Sequence, residues 1–247
     1  MTLTIPTALR TAGLAALIAT LAAALASPAA GPAPRPLAPS ATVETDARPF
    51  SSEAPAQDLD AKVRSFLERS RGRWRDMNVP ESDGKILYDL IIANGYTRAL
   101  EIGTSTGHSG VWIAWALSKT GGRLITVEID EGRHREALAN FREAGLDTYI
   151  DARLADAHEL VPALAGPFDF VFCDADKDWY KNYFVAVLPK LTVGGCFAAH
   201  NVSERQRRGG WGTGEFLRYV ESLPFMETTF AGGSWSGLSI SYKRAER

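Results

Sequence analysis

The chain has 247 residues, 45% hydrophobic and 23% charged, enough to bury a full core and too apolar for general disorder. A formal net charge of -2 argues against a nucleic-acid partner held by broad phosphate neutralisation and favours small-molecule chemistry. The two cysteines, Cys173 and Cys196, lie in apolar runs without metal-type or redox-type spacing, which reads as buried free thiols.

The N-terminal stretch stands apart. Arg10 precedes an Ala, Leu and Ile-rich run, and Ala24-Leu25-Ala26 offers small residues for a signal peptidase, so residues 1–26 read as a signal-like or anchor segment. Residues 27–57, rich in Pro, Ala and Ser, read as a flexible linker, with the folded domain over 58–247. Val63, Phe66 and Leu67 have helical spacing. After the break at Met77-Asn78-Val79-Pro80, Ile86, Leu87, Leu90 and Ile91 mark a second helix that stops at Asn94-Gly95.

Strands are predicted over 98–102, 123–128, 149–154, 168–173 and 195–200, with helices over 109–118, 131–144, 157–164 and 179–191 between them. This alternation requires right-handed crossovers and a parallel sheet covered on both faces. A helix over 214–222 then leads to strands over 226–230 and 238–243, joined by turn-rich Ala231-Gly232-Gly233-Ser234 as an antiparallel hairpin. The fold class is α/β: a Rossmann-like, seven-stranded, mostly parallel sheet with an antiparallel C-terminal hairpin and helices on both faces.

Glu101-Ile102-Gly103-Thr104-Ser105-Thr106-Gly107 continues the first strand into a glycine turn and the N-terminus of a helix, and Glu128 closes the second strand. The spacing E-x-G-x-x-x-G lacks the third glycine of the dinucleotide fingerprint, so the loop suits a cofactor without a pyrophosphate, such as S-adenosylmethionine. Ligands in such sheets sit outside the carboxyl ends of the strands, which selects Glu101, Glu128, Asp174 and His200-Asn201.

Together, Met77-Asn78-Val79, the Glu101 to Ser109 run, Asp174-Ala175-Asp176-Lys177 and His200-Asn201 resemble the cation-dependent O-methyltransferases, the group that contains catechol and caffeoyl-CoA O-methyltransferases. The resemblance implies the class I methyltransferase fold and a methyl transfer from S-adenosylmethionine to a hydroxyl of a small, catechol-like acceptor. It places Val79 and Ser109 against the methionine part of the cofactor, with Glu101, Gly103 and Thr104 in the loop beneath. Glu128 falls on the ribose hydroxyls, and Asp156 and Ala157 on the adenine edge. A carboxylate suits a vicinal diol because it offers two acceptor oxygens in charge-assisted bonds.

The resemblance also implies a divalent metal, magnesium or manganese, on Asp174, His200 and Asn201. His200 stands where the family pattern has Asp, and its imidazole tilts the preference toward borderline metals such as manganese, iron or zinc. Asp174 and Lys177 are the implied catalytic residues, Lys177 as the base that takes the acceptor's proton. Asp176 reads as a helix cap, His158 as a surface residue, and His108 and His134 as structural or exposed residues.

Two arginine-rich stretches, Arg71, Arg73 and Arg75 around Trp74 and Arg205, Arg207 and Arg208 before Gly209-Gly210-Trp211, read either as a charged lid over the pocket or as solvated loops paired with local acids. Two functional alternatives stand beside the methyltransferase: a nicotinamide-dependent Rossmann oxidoreductase and a noncatalytic exported binding domain. Membrane association through the N-terminal segment and a homodimer are left open. Export or anchoring stands against a methyl donor that is made in the cytosol.

Overall fold

The computed structural model describes residues 53–74, 77–208, 212–231 and 237–246. The signal-like segment, most of the linker, Arg75, Gly209, Gly210, Trp211 and the hairpin turn at 232–236 lie outside the described residues. Seven strands form one sheet: β1 (Arg98–Ile102), β2 (Arg123–Glu128), β3 (Ile150–Leu154), β4 (Phe168–Cys173), β5 (Leu191–His200), β6 (Met226–Ala231) and β7 (Leu238–Lys243), in the order β3-β2-β1-β4-β5-β7-β6. The first five are parallel, and β7 runs antiparallel to both β5 and β6. This is the expected mixed sheet.

Helices α1 (Glu53–Ser70) and α2 (Glu81–Asn94) precede β1. The others are α3 (His108–Thr120), α4 (Glu131–Ala144), α5 (Ala157–Ala163), α6 (Tyr180–Val187) and α7 (Thr213–Glu221). Central strands β1 and β4 are buried on both faces along most of their length, although Glu101 and Asp169 interrupt their apolar runs. On one face Leu100, Ile102, Val171, Phe197 and Ala199 join Phe184, Val187, Phe216 and Leu217 of α6 and α7. On the other, Ala99, Phe170, Phe172 and Ala198 meet Leu87 and Ile91 of α2 and Ile113 and Leu117 of α3. A third cluster, with Phe66, Trp112, Trp115 and Phe141, binds α1 and α4 to the outside of α3. Among the described residues no helix is long and apolar enough to cross a membrane.

Two boundaries differ from the sequence reading. Helix α1 begins at Glu53, so the last five residues assigned to the linker are helical; Pro55 falls in the first turn, where an amide hydrogen has no intrahelical partner to lose. The helix predicted over 179–191 instead closes at Val187, followed by a 3-10 turn at Leu188–Lys190, and β5 starts at Leu191 rather than at Gly195. Pro189 has no amide hydrogen to continue the α-helical ladder, and Gly194, at φ 86°, carries an irregular stretch of strand that alternation alone does not reveal.

The strand order reverses direction at β1, whose two neighbours are β2 and β4. Loops leaving β1 and β4 therefore diverge and open a crevice at the carboxyl edge of the sheet. The two strand ends run very close there. Asp174 N–H donates to the Ile102 carbonyl at 2.9 Å, and a Cβ on Gly103, at φ 97°, would lie 2.7 Å from the Asp174 carbonyl oxygen. Glycine is thus required at 103 by backbone conformation and by contact together.

Candidate active site

The crevice is a cavity of about 1040 Å³. That volume is at the upper end for small-molecule sites and takes a nucleoside-sized ligand together with a second small molecule. Gly103, Ser105, Val79, Glu128, Asp156 and Ala157 line it together with Asp174, Lys177, His200 and Asn201. The sequence-selected residues on the strand ends thus converge on one space.

Glu128 organises the cofactor end. Its Oε2 accepts from Ser105 N–H at 2.8 Å, and its Oε1 accepts from Asp130 N–H at 2.9 Å, Ile129 N–H at 3.1 Å and Arg133 Nε at 3.3 Å. Only 6% of its surface is exposed. The carboxylate at the end of β2 therefore holds the β1 loop and the turn after β2 in place, while retaining acceptor capacity toward the cavity. Asp156 caps α5 by accepting from His158 N–H at 2.8 Å.

Glu101, Thr104 and Ser109 occupy the floor beneath the loop and are absent from the cavity wall. Thr126 Oγ1 donates to Glu101 Oε2 at 2.5 Å, and the Thr104 and Thr126 hydroxyls are 2.5 Å apart. Burial lifts the Glu101 pKa from 4.5 to about 7, against the hydroxyls of Ser109 and Thr126, which hold it down. Ser109, expected against the methionine part, therefore spends its hydroxyl on this buried carboxyl.

A pH dependence of stability follows. Folded Glu101 keeps a proton that the unfolded chain releases, so this group costs stability as pH rises from about 4.5 to about 7, by ~3 kcal/mol in total. Urea unfolding of Glu101→Gln should show an advantage over the wild type that grows across that window and is constant above it. An advantage independent of pH would show that Glu101 is ionised throughout.

A chain of charges runs through Lys177, Asp174, His200 and Asp83. Lys177 Nζ donates to Asp174 Oδ1 at 2.5 Å and to the Tyr180 hydroxyl at 2.9 Å. Burial pushes the Tyr180 pKa well above its usual value, so that hydroxyl stays neutral. His200 Nδ1 lies 3.1 Å from Asp174 Oδ2 as an ion-pair contact, and its Nε2 lies 3.1 Å from Asp83 Oδ2 in a hydrogen bond. Burial works against charge on His200, but its contacts with Asp174 and Asp83 prevail and raise its pKa from 6.5 to about 9.

These residues do not fit the expected metal trio as they stand. A ligating nitrogen needs a free lone pair, yet both nitrogens of His200 face carboxylates, and both oxygens of Asp174 face cationic groups. Asn201, at φ 58°, lines the cavity, and its carbonyl accepts from Gln206 Nε2 at 2.9 Å. Among the described residues no group of three or more His, Cys, Asp or Glu side chains is arranged to hold a metal ion.

Asp83 is the functional residue that the sequence reading missed. It is 1% exposed and shares the buried face of α2 with Leu87 and Ile91. An acid in register with an apolar stripe was the available signal.

The rim corrects the reading of His158 and details two others. His158 is part of the cavity wall, stacked on Tyr183 at 5.7 Å and tilted against Trp179 at 4.2 Å, with Asp156 and Asp176 on its nitrogens. His108 is also in the wall, stacked on Trp74 at 4.5 Å, with Nδ1 2.8 Å from the Val79 carbonyl and Nε2 accepting from Trp112. The two arginine stretches part company: Arg71 lines the cavity while pairing with Glu68 and Glu81, but Arg207 turns to Glu204, Glu221 and the Phe230 ring, away from it.

The sequence profile of the O-methyltransferase family matches residues 51–205, more than half of the chain. The chain belongs to the O-methyltransferase family. The match reaches from the residues before α1 through β5 and the turn after His200, and so contains both walls of the cavity. A catechol O-methyltransferase of Niastella koreensis is 38% identical over 130 residues, which cover 51% of this chain and 58% of the relative. A caffeoyl-CoA O-methyltransferase of Populus kitakamiensis is 29% identical over 163 residues, 64% of this chain and 67% of the relative. The alignments thus span between half and two thirds of those relatives' lengths. Among solved structures, the O-methyltransferase from Bacillus cereus in complex with SAH is 25% identical, with a TM-score of 0.64 over 74% of this chain and 91% of that one.

Proposed function

We propose that this protein transfers the methyl group of S-adenosylmethionine to a hydroxyl of a small, catechol-like acceptor. The observation that carries the reading is that Glu128, the glycine loop of the family and the Lys177–Asp174 pair line one cavity. The catechol and caffeoyl-CoA names of its relatives support an acceptor with adjacent aromatic hydroxyls.

S-adenosylmethionine supplies an activated methyl group on a sulfonium. Glu128 accepts hydrogen bonds from the ribose diol, and the backbone at Gly103 and Ser105 lies under the cofactor. Asp156, Ala157 and the His158 ring bound the adenine end. Lys177, once its resting ammonium has released a proton to solvent, takes the proton of the acceptor hydroxyl on Nζ, and Asp174 stabilises the ammonium so formed. The acceptor oxygen then forms its bond to the methyl carbon while the sulfur–methyl bond breaks, leaving its electron pair on sulfur as a thioether. Trp74 and Met77 at the rim offer apolar surface to an aromatic acceptor and screen the reacting atoms from water.

The test incubates the purified full chain with S-adenosylmethionine and a panel of catechols, reading methylated product and S-adenosylhomocysteine by mass spectrometry. Equal amounts of the two are expected. Thermal stabilisation by NAD with none by S-adenosylmethionine would replace this reading with the oxidoreductase. Tight cofactor binding with no transfer to any hydroxylated acceptor would replace it with the binding domain.

A further inference from the structure

The mismatch between His200 and a metal site has a constructive side. Asp83 and Asp174 each bring one negative charge, and both accept but cannot donate hydrogen bonds at neutral pH. His200 lies between them with one nitrogen toward each, and Lys177 covers the remaining oxygen of Asp174. An imidazolium and an ammonium against two carboxylates sum to zero. A divalent cation added to this set would stand against a neutral cluster, and it would meet N–H groups where it needs lone pairs. Asp83 is buried at the start of α2 and arrives from the far side of the site, so the imidazole is held from behind as well as from the cavity.

We propose that the Asp83–His200–Asp174 chain replaces the divalent cation in this protein, with His200 as the positive ring in the cavity wall and Asp83 as the positioning residue that fixes it. This rests on the O-methyltransferase reading for its chemistry and on the geometry for its lack of metal. The reaction balances as given above: the hydroxyl proton goes to Lys177, the O–CH3 bond forms, and the S–CH3 bond breaks with its pair left on sulfur. The positive imidazole stands near the oxygen while negative charge develops on it, the task that a cation would otherwise perform.

Four measurements on the full chain test it. Metal analysis of protein purified without chelator should find far less than one equivalent of any divalent ion. Millimolar magnesium or manganese should leave the melting temperature of the wild type unchanged, whereas His200→Asp, which substitutes a carboxylate, should be stabilised by the same ions. Methyl transfer by the wild type should survive EDTA within about twofold. Asp83→Asn should raise KM for the acceptor and leave S-adenosylmethionine binding unaltered, which a merely structural defect would not do selectively.

Copurification of one equivalent of metal would overturn the proposal. So would a loss of activity on chelation that added metal restores, or equal metal responses of wild type and His200→Asp. If no acceptor is methylated at all, the reaction is misassigned, but metal content and thermal shifts still decide whether the cluster excludes a cation.

Discussion

Lys177→Met is expected to lower kcat toward a neutral catechol by about 10²- to 10⁴-fold, the usual contribution of a positioned proton acceptor. Methionine keeps much of the lysine stem and its packing against Tyr180, so the change removes a nitrogen more than a contact. Cofactor affinity should remain within about twofold, because Lys177 bonds to Asp174 and Tyr180 and not to Glu128 or the glycine loop. Lys177→Arg separates charge from basicity: a guanidinium supplies the same charge beside Asp174 but does not lose its proton in proteins. If Lys177 takes the acceptor's proton, Arg is as inactive as Met, and both defects shrink for catechols made more acidic by electron-withdrawing groups. Near-normal turnover by the Arg variant would reduce Lys177 to an electrostatic role, and the proton would need another destination.

How far the sequence discloses this arrangement depends on how local each constraint is. Strands β1, β2 and β4 are readable because their apolar runs end in turn residues, and Glu128 and Asp174 are readable because they are the acids at, or directly after, the carboxyl end of a strand. Lys177 follows from Asp174 through one short turn capped by Asp176. Asp83 is different. Its partner His200 lies 117 residues away, and only the packing of α2 against the end of β5 brings them together, so no spacing rule connects them. The same holds for the Trp74 stack on His108. Arg207 shows the reverse: the local acids Glu204 and Glu221 capture it, although its place in the chain suggested a pocket lid.

The distribution of charge also separates binding from chemistry. At the cofactor end a single carboxylate is held mainly by backbone amides, so its geometry is fixed by the strand and loop around it. At the acceptor end four charged side chains hold one another, and each substitution there disturbs the rest. Variants of the first kind should chiefly alter affinity, and variants of the second kind turnover.

Glu128→Gln gives the larger effect on affinity. The carboxylate accepts from Ser105 N–H on one oxygen and from Ile129 and Asp130 N–H on the other. An amide has only one acceptor, so its NH2 must meet either the Ser105 amide or the pair after β2, donor against donor. One side of the cradle opens, and the ribose diol loses a charge-assisted partner at the same time. Bonds to charged groups contribute about 1.5–3 kcal/mol each, which puts the weakening of S-adenosylmethionine binding at about 10²-fold. Turnover at saturating cofactor should fall much less, since the Lys177 wall is untouched. Calorimetric titration with S-adenosylhomocysteine and its 2′-deoxy analogue isolates the diol from the cradle: the missing hydroxyl should weaken binding to the wild type strongly and to Glu128→Gln hardly at all. Equal penalties in the two proteins would mean that Glu128 shapes the loop without holding the ribose, and the diol's partner would have to lie elsewhere on the cavity wall.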